Sequence, residues 1–379
     1  MLQRLLIANR GEIAVRIARA ASDLGIETIS VFSEDDSNSL HRYATDDSRQ
    51  LAGIGAQAYL NIDNIVQAGL DADCDSVHPG YGFLSENADF AQAVQESRMT
   101  FVGPQPETLD LFGDKAKARQ MAEEIHVPVI QGVSQPVTLS QATDLFNKLG
   151  GKPMILKAIA GGGGRGSRVV QDARELEEAY ERARSEAIAA FGNGELYAEE
   201  LVTEARHIEV QIVGDGKGNV THLSERECSA QRRHQKIVEV APAPCLDKDI
   251  RQQLIDAAVR FAEHANYQSL GTFEFLVHDN SFAFIETNAR LQVEHTVTEE
   301  VTGIDLVQTQ LLLAGGSSLS DLDLLHSPKP RGFAVQVRVN MERMDRDGNV
   351  LPTSGTLSAY DAPSGPGVRT DGFGYSGYA

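Results

Sequence analysis

Two β-rich runs, residues 271–278 (GTFEFLVH) and 282–288 (FAFIETN), lie three residues apart, and the rest of the chain is organised around them. The intervening Asp279, Asn280 and Ser281 are turn formers, so the spacing predicts a β-hairpin. With His278 facing Phe282 across the turn, Glu274 lies directly opposite Glu286. Opposed strand residues hold their β-carbons ~4.5–5.5 Å apart, and like charges so placed destabilise a sheet. A cation is therefore expected between them, unless both glutamates sit on a solvated strand face. Asn288 points to the same side as Glu286 and adds a neutral oxygen. Two carboxylates and an amide oxygen make a hard donor set, suited to magnesium or manganese held between protein and phosphate.

The charge of −20 over 379 residues argues against nucleic acid or an anionic membrane as a main partner. Three scattered cysteines, Cys74, Cys228 and Cys245, lack metal-ligand spacing and point to free thiols in a reducing, cytoplasmic setting. No apolar run approaches the ~18 residues of a membrane span.

Strand, helix, strand over residues 1–113 predicts a parallel sheet with helices on both faces. Such sheets bind ligands at the carboxyl ends of their strands, here the turns at 9–12 and 78–87. A helix over 114–125 carries Lys115 and Lys117 in its first turn, where either ordinary solvation or a bound anion would suit them. Lys157 sits in an apolar strand that leads into four glycines at 161–164, so a phosphate partner is expected for it, unless the loop is a flexible hairpin and the lysine snorkels to solvent. Residues 206–213 alternate strictly and predict a half-buried strand, with a return strand over 219–224. Residues 232–236 hold three basic side chains and a histidine, the one dense basic cluster in an acidic chain. Helices are expected over 246–266 and 298–314, and a new strand over 332–340. The glycine-rich tail from 354 stops without a closing element, which suggests a last domain cut short.

With these residues in view, the chain resembles biotin carboxylases of the ATP-grasp superfamily. The resemblance is carried by residues 8–14, 78–87 and 113–115, the glycine loop, 231–236 and 288–295, in that order along the chain. It implies an α/β and α+β architecture of three parts. These are a Rossmann-like N-terminal domain (1–113), an ATP-grasp domain (114–317) with a glycine-rich lid at about 131–202, and an incomplete β-rich C-terminal domain (330–379).

The implied ligands are ATP, two Mg²⁺ or Mn²⁺ ions, bicarbonate and biotin on a carrier. By position, Glu274, Glu286 and Asn288 match the metal ligands, the two glutamates also lining the ATP site. Lys115, Lys157, Gly163 and Gly164 match the phosphate contacts, while His207, Gln231 and His234 match the nucleotide-binding residues. Glu199, Glu200, Leu201 and Val202 occupy the adenine segment, although Glu200 stands where members often have lysine. Lys236, Arg290 and the backbone of Val293 match the bicarbonate site, Glu294 the base that deprotonates it, and Arg338 the residue that holds biotin. The resemblance also implies a carboxyl carrier and a carboxyltransferase as separate subunits or domains, a homodimer, and membership of an acyl-CoA carboxylase of fatty acid metabolism. The rival readings are a carbamoyl-phosphate-synthetase-like ligase and a non-catalytic nucleotide-binding module.

Overall fold

The computed structural model describes residues 2–133, 135–159, 166–232, 235–346 and 349–378. Its first sheet is parallel, with strands β1 (Arg4–Ile7), β2 (Glu27–Phe32), β3 (Asp47–Gln50), β4 (Ser76–His78) and β5 (Thr100–Phe101) in the order 3-2-1-4-5. Helix α1 (Gly11–Asp23) packs Ile13, Ile17 and Ala21 inward and ends just before Gly25, whose φ of +71° suits glycine. Strand β3 has no apolar residue and gave no signal in the sequence. The order reverses between β1 and β4, where the two loops expected to meet do so. The Asn9 side-chain N–H₂ donates to the carbonyls of Pro79 (2.7 Å) and Tyr81 (2.8 Å). A Cβ on Gly80 would lie 2.9 Å from Asn9 Nδ2, so this glycine permits a close approach. Beyond the sheet, α2 (Lys115–Glu124) is capped by Asp114, which accepts from the Ala116 N–H at 2.9 Å.

A second, antiparallel sheet contains β6 (Gly132–Val133), β7 (Met154–Ala158), β8 (Ser167–Val170) and β9 (Leu196–Glu200) in the order 6-9-7-8. It shares a small core with α3 (Leu139–Lys148) and α4 (Leu176–Phe191), built from Leu145, Phe146, Leu156, Ala183 and Leu196. The glycine loop at 161–164, with Gly163 and Gly164, lies outside the described residues, as does His234.

The third sheet has six strands, β10 (Arg206–Asp215), β11 (Val220–Arg232), β12 (Gln235–Ala241), β13 (Gln268–His278), β14 (Ser281–Asn288) and β15 (Ala334–Val337). Their order is 14-13-10-11-12-15, antiparallel throughout. Helix α5 (Lys248–His264) packs Leu254 and Phe261 among Phe273, Phe275 and Phe284 on one side of the sheet. Helices α6 (His295–Thr302) and α7 (Leu306–Ala314) lie against the other side.

Three expectations change here. Strand β10 is buried on both faces from Ile208 to Asp215, because α6 covers the polar side as well. The return strand runs to Arg232, so the basic run lies on a long β11–β12 pairing. The helix anticipated over 298–314 is two helices, broken at Gly303 (φ +75°) and restarted by Asp305, which caps the Gln308 N–H at 2.8 Å.

The β13–β14 hairpin also closes differently. Its turn has two residues, with His278 opposite Ser281 and Asp279 at φ +51°. A bulge at Ile285 then shifts the register by one, restoring Glu274 opposite Glu286. Among the described residues, no helix is long and apolar enough to cross a membrane.

Candidate active site

Arg226, Glu209, Glu274 and Glu286 stand abreast on β11, β10, β13 and β14. Three carboxylates in a row would repel one another, and the sheet meets this with cations of its own. Arg226 is fully buried and donates to Glu209, to the Gln211 side-chain oxygen (2.7 Å) and to the hydroxyls of Thr298 (3.0 Å) and Thr272 (3.1 Å). Lys236, on β12, places its ammonium against three carboxylates at once: Glu209, Glu274 (2.8 Å) and Glu294 (2.6 Å).

Burial alone would lower the Lys236 pKa, but these three anions outweigh it and hold it well above the ordinary lysine value. Burial would raise Glu274 too, yet Lys236 and His207 keep its carboxyl well below the usual range. The Gln231 amide lies 3.0 Å from His207 Nδ1, so as donor it leaves Nε2–H to face Glu274 Oε2 at 2.7 Å. Burial pulls His207 down, and its bond to Glu274 more than reverses this.

Glu294, directly before α6, has a side chain only 2% exposed. Its Oε2 accepts from Arg338 Nη2 at 2.9 Å, and Arg338 also meets Glu239 at 2.7 Å. Val293 is half-buried in the same loop. Arg290 braces that loop, bonding Glu86 (2.8 Å), the Asn288 Oδ1 (3.0 Å) and Gln292 (3.2 Å).

Next to the row opens a cavity of about 720 Å³, lined by Lys115, Lys117, Ile130, Tyr197, Glu199 and Ile285. Lys115 and Lys157, expected to meet phosphate, are paired with carboxylates instead: Lys115 with Glu286 at 3.3 Å and Lys157 with Glu199. Glu200 turns out of the cavity to Lys152 at 2.7 Å. The Glu200 and Leu201 N–H groups bond to the Gln131 and Pro153 carbonyls, at 2.7 and 2.8 Å, and Val202 follows half-buried.

Residues 1–109 match the family described as biotin carboxylase, N-terminal domain, and residues 114–322 that described as carbamoyl-phosphate synthase L chain, ATP binding domain. Pyruvate carboxylase of Bacillus subtilis is 49% identical over 378 residues, covering 98% of this chain and 33% of the relative. The Campylobacter jejuni biotin carboxylase, solved with βγ-ATP, is 42% identical with a TM-score of 0.94, covering all of this chain and 84% of that one. The chain belongs to the biotin carboxylase family. The biotin carboxylase domain dimer of Hydrogenobacter thermophilus 2-oxoglutarate carboxylase, solved with MgADP, ADP and bicarbonate, is 38% identical. Its TM-score is 0.94, over all of this chain and 83% of that one. The chain spans about a third of the length of the curated relatives it matches.

Reading from sequence overlooked several charged residues of this biotin carboxylase site: Glu209, Arg226, Glu239 and Glu86. Glu209 had a signal, since it shares a strand face with His207 two residues away. The opposed glutamates and Asn288 remain a hard-oxygen set that suits a divalent cation. Such an ion would compete with Lys236, His207 and the Asn288 N–H₂ for Glu274, with Lys115 for Glu286, and with Arg290 for the Asn288 oxygen.

Proposed function

We propose that this chain carboxylates the ureido nitrogen of biotin with bicarbonate and ATP, using Glu294 as base. The observation that carries the reading is the environment of Glu294, a buried carboxylate held between Lys236 and Arg338. Bicarbonate would lie against Lys236, Arg290 and the Val293 backbone. Glu294 would take its proton, and a carbonate oxygen would attack the γ-phosphorus as ADP leaves.

Lys115 and Lys157, with the amides of Gly163 and Gly164, would hold the phosphates, and each lysine would exchange its carboxylate for them. Glu199, Leu201 and Val202 would border adenine, Glu200 contributing through its main chain, with His207, Gln231 and His234 further along the nucleotide. Glu274, Glu286 and Asn288 would hold magnesium or manganese, one ion or two, which supplies charge neutralisation on the phosphates. The resulting carboxyphosphate would break down to carbon dioxide and phosphate. That phosphate would remove the ureido proton, the freed nitrogen would attack carbon dioxide, and Arg338 would stabilise the ureido oxygen's negative charge.

Labelled bicarbonate appearing on free biotin, only when ATP is present, tests this. The ATP-binding match to carbamoyl-phosphate synthase supports one alternative, in which ammonia and not biotin stimulates ADP release. A carboxyl carrier and a carboxyltransferase are the proposed partners, and a homodimer the proposed assembly, as in the Hydrogenobacter domain. A 2-oxo acid is better supported as final acceptor than the acyl-CoA expected from sequence, since two of the three relatives named above are pyruvate and 2-oxoglutarate carboxylases.

A further inference from the structure

Arg338 enters the site at the end of β15, its N–H donating to the Ile237 carbonyl at 3.1 Å. Its side chain is 25% exposed, yet both carboxylates that hold it are almost wholly buried. Nε and Nη2 meet the same oxygen, Glu239 Oε1, at 2.8 and 2.7 Å, while Nη2 also donates to Glu294 Oε2 at 2.9 Å. The other oxygen, Glu239 Oε2, is buried without a hydrogen-bond partner among the described residues. Leaving a buried charged oxygen unsatisfied is costly. Burial also pushes this carboxyl above its ordinary value, against the pull of Arg338, and the nearby Glu294 charge adds to the push. For packing alone, an apolar side chain would serve better here. A glutamate kept at this cost has work to do on Arg338.

The two carboxylates hold the guanidinium under different conditions. Glu294 loses its charge when it accepts the bicarbonate proton, and its grip on Nη2 weakens at that moment. Glu239, its side chain wholly buried, meets Arg338 and takes no proton in the proposed reaction, so its grip persists. We propose that Glu239 is a positioning residue, tethering Arg338 through Nε and Nη2 so that the guanidinium stays aimed at biotin after Glu294 is protonated. This rests on the roles proposed above for Glu294 and Arg338. Without the tether, Arg338 follows Glu294 while that is charged and turns toward solvent once it is not. Carboxyphosphate then decomposes before biotin is activated, and ATP is cleaved without product.

The test is the amount of carboxybiotin formed per ADP released, with free biotin and labelled bicarbonate, in wild type, Glu239→Gln, Arg338→Gln and the double variant. Glutamine keeps the shape and one acceptor oxygen but removes the charge. We expect Glu239→Gln to lower the ratio at least fivefold, with a melting temperature within about 2 °C of wild type. The double variant should match Arg338→Gln alone, because Glu239 acts only through that side chain. An unchanged ratio in Glu239→Gln, or a double variant in which the two losses multiply, overturns the tether. A merely structural glutamate would lower ADP release and product together and leave their ratio intact, which also overturns it. Wild-type protein that forms no carboxybiotin at all instead overturns the proposed function beneath it.

Discussion

Replacing Lys236 by methionine removes the one ammonium shared by Glu209, Glu274 and Glu294. Each carboxylate keeps another partner (Arg226 at Glu209, the His207 Nε2 at Glu274 and Arg338 at Glu294), so the loss is that of one buried partner rather than three. Breaking a buried ion pair costs about 3–5 kcal/mol. Unfolding entropy of about 2.1 cal/mol/K per residue gives roughly 0.4 kcal/mol/K for a cooperative unit of about 200 residues. A loss near 4 kcal/mol then lowers the melting temperature by about 10 °C.

The loss should depend on pH. In the variant, one carboxylate of the cluster has a folded pKa raised above its unfolded value of about 4.3. A raised carboxyl contributes stability that is present at low pH and lost as pH rises through the folded pKa. In wild type, Glu209 and Glu274 are depressed, so their contribution is fully present above the unfolded pKa and lost only at more acidic pH. The gap between the two proteins should therefore be largest near pH 8 and roughly half as large near pH 5.5. Differential scanning calorimetry at both values reads it directly. A drop below about 2 °C at pH 8, or an equal drop at both, would refute the electrostatic account of this cluster.

Glu294→Gln should reduce bicarbonate-dependent ADP release by at least 10²-fold, the usual weight of a general base, while ATP still binds by calorimetric titration. Lys115→Met and Lys157→Met should each weaken ATP binding about tenfold, with a smaller effect on adenosine, measured by the same titration; equal effects on both ligands would remove the lysines from the phosphates. Chelating divalent cations should stop ADP release, magnesium should restore it, and Glu286→Gln should raise the magnesium concentration needed. Glu299→Ala should cost about 3 kcal/mol by thermal melting, because it removes one of the two carboxylates that hold Arg16, whose side chain is 9% exposed, and breaks the 2.7 Å contact to Arg369. Asp305, 2.7 Å from Arg16, keeps the cost at the low end of the range.

The parallel sheet was readable because each of its apolar strands is short, uninterrupted and bounded by turn residues, as in β1 and β2. Strand β3 was not, since Asp47-Ser48-Arg49-Gln50 carries no apolar pattern and is ordered by pairing with β2. The opposition of Glu274 and Glu286 was read correctly through two compensating departures, a tighter turn and a bulge at Ile285. No local rule places that bulge. The polar face of β10 was taken for a solvated one because periodicity reports alternation and is silent on what covers each side. Once α6 packs over that face, Glu209 and Gln211 become interior groups, and Arg226 is drawn in to bond both. Partners within the chain stand beside the groups expected to meet metal and phosphate: Lys236 at Glu274, and the carboxylates of Glu286 and Glu199 at Lys115 and Lys157. A single sequence shows that such charges exist, while their pairing depends on strands far apart along the chain.

The most direct test of the chemistry assigned to Glu294 is to follow oxygen from bicarbonate fully labelled with ¹⁸O during turnover with ATP and biotin. Attack by a deprotonated bicarbonate oxygen on the γ-phosphorus predicts one labelled oxygen in each phosphate released, with the other two in carboxybiotin. Phosphate without label, its fourth oxygen taken from solvent, would mean that water, rather than bicarbonate, is the nucleophile.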